Sequence, residues 1–178
     1  MTSTTDTPIR VILQTPRLRL RELVEDDAPF ILELLNEPSF IANIGDRGVR
    51  TLDDAVGYIR KGPADSYARH GYGLWLVELK ETGEPLGVSG LMHRDTLPAP
   101  DIGYAFVPRH WSRGYAVESC TAVRDHALRT LALPQLLAIV SPGNDASVKV
   151  LERIGMSYVK MVTMPSSAEE LQLYALEA

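Results

Sequence analysis

The sequence predicts a single α/β domain whose mixed, mostly antiparallel sheet has about six or seven strands flanked by about four helices. Three observations lead there. The middle of the chain holds three strand-like segments joined by turns, the pattern of an antiparallel meander. Beyond Val107 the pattern changes to a long helical segment, a short wholly apolar run, a second helix and two closing strands. The 178 residues are 45% hydrophobic and 23% charged, with no internal repeat, low-complexity tract or linker, so they suffice for one well-filled core.

Residues 1–13, Thr-rich at their start, are expected as a flexible tail and residues 14–178 as the folded domain. Arg17-Leu18-Arg19-Leu20-Arg21-Glu22-Leu23 alternates with period two, as a half-buried strand does. Asp26 and Asp27 before Ala28-Pro29, followed by Ile31, Leu34 and Leu35, predict a helix ending near Asn36, with Pro38 just after it. Thr51-Leu52-Asp53-Asp54 is a capping-box variant, and the helix it opens passes through Val56 and Ile59 and stops near Gly62-Pro63. Asn43 to Arg50 is the loop between these helices. Strands are predicted at Leu74–Lys80, Pro85–Met92 and Asp101–Val107. The first two are joined by Glu81-Thr82-Gly83-Glu84, the next two by the proline-rich turn His93–Pro100. Ala116 to about Leu131 is helical, with Val117, Cys120, Val123, Ala127 and Leu131 on one side. Leu136–Val140 is a central strand. Asn144–Ile154 is a helix with Val148, Leu151 and Ile154 inward and Gly155 as its C-cap. Tyr158–Thr163 and Leu171–Leu176 close the chain as strands.

Composition excludes several function classes. Lysine plus arginine number 18 against 23 aspartate plus glutamate, a net charge of −5, so the basic footprint of a general nucleic-acid binder is missing. A pocket for one anionic ligand remains compatible with that balance. No apolar run approaches the roughly 20 residues that span a bilayer. The opening MTSTTDTPIR has no apolar secretory core, and the lone Cys120 fits a reducing compartment, so a cytoplasmic protein is expected. His70, His93, His110 and His126 are too scattered for a metal signature, and no metal is expected.

The informative stretch runs Ile102-Gly-Tyr-Ala-Phe-Val-Pro-Arg-His-Trp-Ser-Arg-Gly-Tyr-Ala116. A strand ends at Val107, a loop with Arg109, Arg113 and Gly114 follows, and a long helix begins. The first N–H groups of a helix lack internal partners and its dipole places partial positive charge there. A glycine lets backbone approach a ligand closely. Such a junction suits a phosphate or pyrophosphate. Neither a G-x-x-x-x-G-K-[ST] loop nor a G-x-G-x-x-G fingerprint is present, so P-loop and dinucleotide folds are unsupported.

These residues resemble the GCN5-related N-acetyltransferases, and within them the branch of the ribosomal-protein N-terminal acetyltransferases. Three blocks carry the resemblance over roughly residues 14–176, in the family's order and spacing. TPRLRLRELVEDDA is similar to the branch's first strand and helix. IGYAFVPRHWSRGYAVES matches its acetyl-CoA loop, with Gly114 and Ala116 in the R/Q-x-x-G-x-G/A positions and Trp111 replacing the Arg or Gln, as is usual there. NDASVKVLERIGM matches N-x-x-S-x-x-x-L-E-x-x-G-F through Asn144, Ser147, Leu151, Glu152 and Gly155. The resemblance implies a sheet that splays after its fourth strand, with pantetheine against the backbone of Phe106 and Val107. It also implies a pyrophosphate on the N–H groups of Ser112, Arg113, Gly114, Tyr115 and Ala116. The implied activity is direct transfer of acetyl from acetyl-CoA to a primary amine. The acceptor is a protein N-terminus or a small-molecule amine, and the protein a monomer or homodimer. The alternatives are a non-catalytic CoA-binding or regulatory module and a module for another phosphate ligand.

Several residues carry two readings. Asn144 is a helix N-cap, and by resemblance also lies near the pantetheine arm. Ser147 is a first-turn serine making a local bond, or the donor of a proton to the leaving thiolate. Many relatives use a Tyr for that step where this chain has Leu151. Asp101 is a solvated strand-end carboxylate, or the base at the place where some relatives carry a catalytic Glu. An ammonium has no lone pair, so a positioned carboxylate must take its proton, and a pKa raised by burial suits that work. Tyr104, Tyr158 and Tyr174 read as core residues before catalysts, and Cys120 as packing before an acyl-cysteine. Arg94 could bind a substrate carboxylate; Arg47 and Arg50 contact acceptor or are solvated. Ser112 stands where the branch commonly has Gly and Met156 where it has Phe. The segment after Gly155 lacks a Glu found in some close relatives, which weakens transfer of their ribosomal-protein substrate to this chain.

Overall fold

The computed structural model describes residues 8–165 and 167–178. Fourteen elements follow in order: β1 (Val11–Gln14), β2 (Leu18–Arg21), α1 (Ala28–Leu35), α2 (Pro38–Asn43), α3 (Leu52–Ile59), α4 (Asp65–His70), β3 (Leu74–Leu79), β4 (Pro85–Met92), β5 (Asp101–Phe106), α5 (Tyr115–Asp125), β6 (Gln135–Val140), α6 (Asp145–Arg153), β7 (Ser157–Thr163) and β8 (Glu170–Glu177). The strands form one sheet of eight in the order β1-β2-β3-β4-β5-β6-β8-β7. Every neighbouring pair is antiparallel except β5 and β6. Those two meet in parallel through a single residue pair, Asp101 with Leu137, beside the bond from Leu137 N–H to the Pro100 carbonyl at 3.0 Å. Beyond it they separate.

The predicted meander is there as β3–β4–β5, and the late helices and strands follow in the expected order. The differences have local causes. The eighth strand, β1, lies inside the stretch expected as a tail, where Val11 to Gln14 pair with β2; residues 1–7 of that stretch lie outside the described residues. Pro38 opens α2 instead of only following α1, because a ring that fixes φ and lacks an N–H suits a first helical position. The second predicted helix does not stop at Gly62-Pro63. A wider π-type turn over Arg60–Ala64 carries it through buried Pro63 into α4, and Gly71 at φ +75° ends it. The capping box at Thr51 is made in both directions, with Asp54 N–H donating to Thr51 Oγ1 at 3.1 Å and Thr51 N–H to Asp54 at 3.2 Å.

The two faces of the sheet hold two apolar clusters. α5 and α6 cover one, around Leu18, Trp75, Cys120, Val123, Leu136 and Leu151. α1 and α3 cover the other, around Leu23, Ile31, Leu34, Ala55, Ile59 and Val107. Along β5, Ile102 and Phe106 belong to the first cluster while Ala105 packs on the second, as strand alternation requires. Among the described residues no helix is long and apolar enough to cross a membrane.

A buried ion network ties β2 to β3 and to the start of α1. Arg21 meets Asp27 at 2.8 Å and Glu78 at 3.1 Å, and Arg19 meets Glu78 at 3.0 Å. Asp27 also accepts the Val24 N–H at 2.9 Å. Removing one member leaves buried charge uncompensated. Arg21→Met is expected to cost about 3 kcal/mol at pH 7, read as a lower urea midpoint at unchanged m-value. The deficit should shrink toward pH 4, where an unpaired buried carboxylate takes up a proton.

Candidate active site

The separation of β5 from β6 opens a cleft of about 830 Å³ that runs from Asp101 to the loop before α5. The peptide edge of β5 lines it. A strand's N–H and C=O groups alternate between neighbours. Pro100 C=O faces β6 and Val107 N–H faces β4, where it donates to Leu86 C=O at 3.1 Å. The peptide groups of Tyr104 and Phe106 therefore turn toward the gap, where β6 has moved out of reach. Phe106 C=O is held by the indole N–H of Trp111 at 2.8 Å. Val107 is fully buried and its N–H is engaged, so the backbone edge open to a ligand is Tyr104 to Phe106, one step earlier than expected.

At the open end of the cleft stand Ser112, Gly114, Tyr115 and Ala116. Gly114 is the N-cap of α5, at φ +82°, and offers no side-chain cap, so the first N–H groups of an 11-residue helix have no intrahelical partner. Ser112 is also left-handed, at φ +60°, a conformation that costs a non-glycine residue about 1–2 kcal/mol. Arg113 itself is exposed and outside the cleft lining. Arg109 likewise turns away, to Glu33 on α1.

Arg17 holds this loop in place. Its Nη1 donates to the Arg113 carbonyl at 2.9 Å, its Nε to Glu118 at 2.8 Å, and its guanidinium carbon lies 4.5 Å from the centre of the Tyr115 ring. Glu118, in the first turn of α5, also accepts from Thr15 Oγ1 at 2.5 Å and from Arg17 N–H at 3.2 Å. These bonds and the Arg17 N–H pull the Glu118 carboxyl below its ordinary range, against burial. A reading of strand periodicity passes over Arg17, because its partners lie about a hundred residues away. A Cβ on Gly114 would stand 3.3 Å from Arg17 Nη2.

The closed end of the cleft belongs to Asp101. It is 1% exposed, which excludes the solvated strand-end reading. Its carboxylate oxygens lie 3.2 and 3.3 Å from Arg94 Nε. Burial pushes the carboxyl up to about 6, against the Arg94 guanidinium, which holds it down. Such a group is ionised at neutral pH yet accepts a proton readily. Asn144 caps α6, with its side-chain oxygen 3.3 Å from Ser147 N–H, and both residues line the cleft. Tyr104 also lines the cleft, with Ser147 beside its hydroxyl; burial raises the phenol's pKa and Ser147 offsets part of that rise. Leu151 is buried, as an apolar side chain there must be.

The remaining candidates separate clearly. Arg50 is structural, bound to Asp46 at 2.5 Å and to Asn36 at 3.0 Å, whereas Arg47 lines the cleft near Tyr58. Cys120 is fully buried beside Ser89, 3.7 Å away, and burial pushes its thiol up to about 12, so it is packing. Tyr158 and Tyr174 stack edge to face away from the cleft, their centroids 5.9 Å apart.

Comparison with known proteins agrees with this architecture. Residues 17–157 match the family described as acetyltransferase (GNAT) domain. The chain is 33% identical to the uncharacterized protein YkkB of Bacillus subtilis (strain 168) over 154 residues, 84% of this chain and 87% of that one. The crystal structure of an acetyltransferase from Agrobacterium tumefaciens str. C58 superimposes with a TM-score of 0.79 at 33% identity, covering 96% of this chain and 95% of that one. RimL, a ribosomal L7/L12 alpha-N-protein acetyltransferase solved with coenzyme A, shares the fold with a TM-score of 0.81 at 18% identity, over 94% of this chain and 98% of that one. With its splayed eight-stranded sheet and a family match over most of its length, the chain belongs to the GNAT acetyltransferase family.

Proposed function

We propose that the cleft binds acetyl-CoA and a primary amine side by side and passes the acetyl group directly between them. The observation that carries this reading is the junction of two features. The β5 edge left by β6, the Tyr104 peptide groups and the Phe106 N–H, suits an extended amide-bearing arm, and it ends at the bare N-terminus of α5, which suits a pyrophosphate. The amine acceptor is a small molecule or a protein N-terminus. Asp101, directly or through a water, takes the amine proton. The neutral nitrogen then attacks the thioester carbonyl; a C–N bond forms and the C–S bond breaks. Peptide N–H groups on the open β5 edge steady the carbonyl oxygen as charge develops. Ser147, with the Tyr104 hydroxyl beside it, gives a proton to the departing thiolate and is reprotonated by the second proton the nitrogen sheds as the amide forms, while Asp101 returns its proton to solvent. Asn144 holds the start of α6 so that Ser147 faces the sulfur.

Titration calorimetry tests the cofactor. Micromolar affinity for acetyl-CoA, with ATP and NAD inert, is the expected result, and failure of a folded sample to bind acetyl-CoA overturns the reading. Gly114→Trp should abolish that binding by filling the loop, and should also lower thermal stability, because its backbone is left-handed. Arg17→Met, which loosens the loop and leaves its surface open, should weaken acetyl-CoA about tenfold.

Asp101 has a pH signature. Its base form is lost as pH falls through about 6, so kcat/KM for the acceptor should drop on that acid limb with unit slope. Asp101→Asn should lower turnover roughly 100-fold and remove the limb. An Asn variant that keeps the wild-type profile would leave Asp101 a structural role. Binding of acetyl-CoA with no turnover of any amine would favour the non-catalytic module instead.

A further inference from the structure

The cleft lining leaves few carboxylates free of an ion pair. The carboxylates lining the cleft among the described residues are Asp46, Asp101 and Glu169, and the guanidiniums are Arg47, Arg94 and Arg153. Asp46 is held by Arg50 and Asp101 by Arg94. The walls around them are apolar, built from Leu35, Phe40 and Ile44 on one side and Val88, Met164 and Leu171 on the other. A polyamine brings two or more ammonium groups and needs several uncommitted carboxylates to offset their desolvation. Among the described residues the lining supplies one, Glu169, against two guanidiniums without an ion pair, Arg47 and Arg153. An amine with its own carboxylate is neutral overall and needs one partner of each sign.

Asp101 and Arg94 form such a pair. Arg94 spends Nε on the two Asp101 oxygens and Nη2 on Met92 Sδ at 3.3 Å. Its Nη1 makes no hydrogen bond among the described residues, and its side chain is 28% exposed against 2% for Asp101. An open guanidinium donor therefore sits within one side-chain width of the buried carboxylate. The amino and carboxyl groups on a single carbon have that spacing.

We infer, resting on the transferase reading above, that the acceptor is an α-amino acid or close analogue with an apolar side chain. Its ammonium meets Asp101, its carboxylate meets Arg94, and its side chain enters the apolar chamber. Asp101 removes one ammonium proton and later yields it to solvent, the nitrogen bonds to the acetyl carbon, its second proton passes to the Ser147 and Tyr104 hydroxyls as they protonate the thiolate, and the C–S bond breaks. The thiolate takes a proton from the Ser147 and Tyr104 hydroxyls, leaving an N-acetyl amino acid and the free thiol of CoA.

Thiol release tests this with L-leucine, L-leucinamide, a leucyl tripeptide and spermidine, on the wild-type chain and on Arg94→Gln. L-leucine should exceed spermidine and the tripeptide in kcat/KM. Arg94→Gln should reduce the leucine-to-leucinamide ratio about tenfold, because the site then loses its carboxylate partner. Any change in Asp101 basicity affects both acceptors and cancels in that ratio. Preference for spermidine or the tripeptide overturns the inference, as does a ratio unmoved by the substitution. The wild-type ranking stands as a test even if the variant folds poorly. No turnover of leucine while acetyl-CoA still binds overturns the acceptor class alone, whereas loss of acetyl-CoA binding overturns the transferase reading beneath it.

Discussion

One backbone constraint organises this molecule: β5 and β6 run parallel, touch at Asp101 and Leu137, and part. Parallel neighbours held by one residue pair lack a ladder to keep them together. Each is drawn instead to its antiparallel partner, β5 to β4 and β6 to β8, where pairing extends along six residues. The sheet thus consists of two well-paired halves with a seam between them. The cleft opens along that seam. The β5 edge past Asp101 is open because β6 has left, α5 starts at the open end because β5 ends there, and α6 starts on the far side because β6 ends there.

The same constraint places Asp101. It is the last residue that both strands share, so it sits at the vertex of the V, with protein on both sides and the cleft in front. That position accounts for its burial and its raised pKa. Arg94 keeps the buried carboxylate from being an uncompensated charge. The opposite end of the seam meets the reverse electrostatic need. There, bare N–H groups must face one way while left-handed Ser112 and Gly114 are held still. Arg17 and Glu118 do this from outside the cleft, with hydrogen bonds to main chain and side chain that leave the cleft surface open. Strain in Ser112, at φ +60°, persists because the surroundings over-determine it.

Much of this was legible in the residues. The meander, the long helix after the loop, the apolar β6 and the Asn144 cap are local patterns of period, capping and composition, and each element forms close to its expected bounds. The errors share a cause. β1 is the four-residue run Val11-Ile12-Leu13-Gln14, too short for a period to show, and its pairing with β2 holds it in the sheet. Pro38 and Pro63 mark helix starts, stops or wide turns depending on what packs beside them, and the core decided. Arg109 and Arg113 stand beside the glycine in the sequence, and tertiary contacts send one side chain to Glu33 and leave the other outside the cleft lining.

The sequence by itself determined the order of elements, the presence of a strand–loop–helix junction with a glycine at its N-cap, and the resemblance that named a family. Those depend on neighbours within a few residues, where side-chain chemistry and backbone geometry are coupled directly. Only the tertiary structure decided which peptide groups stay unpaired, that Val107 is excluded from the cleft, that Asp101 is buried against Arg94, and that Arg17 holds the loop. Each of these is a relation between segments that meet only after folding. A hydrogen bond already taken by another strand, or a charge paired across a hundred residues, leaves no local trace in the chain.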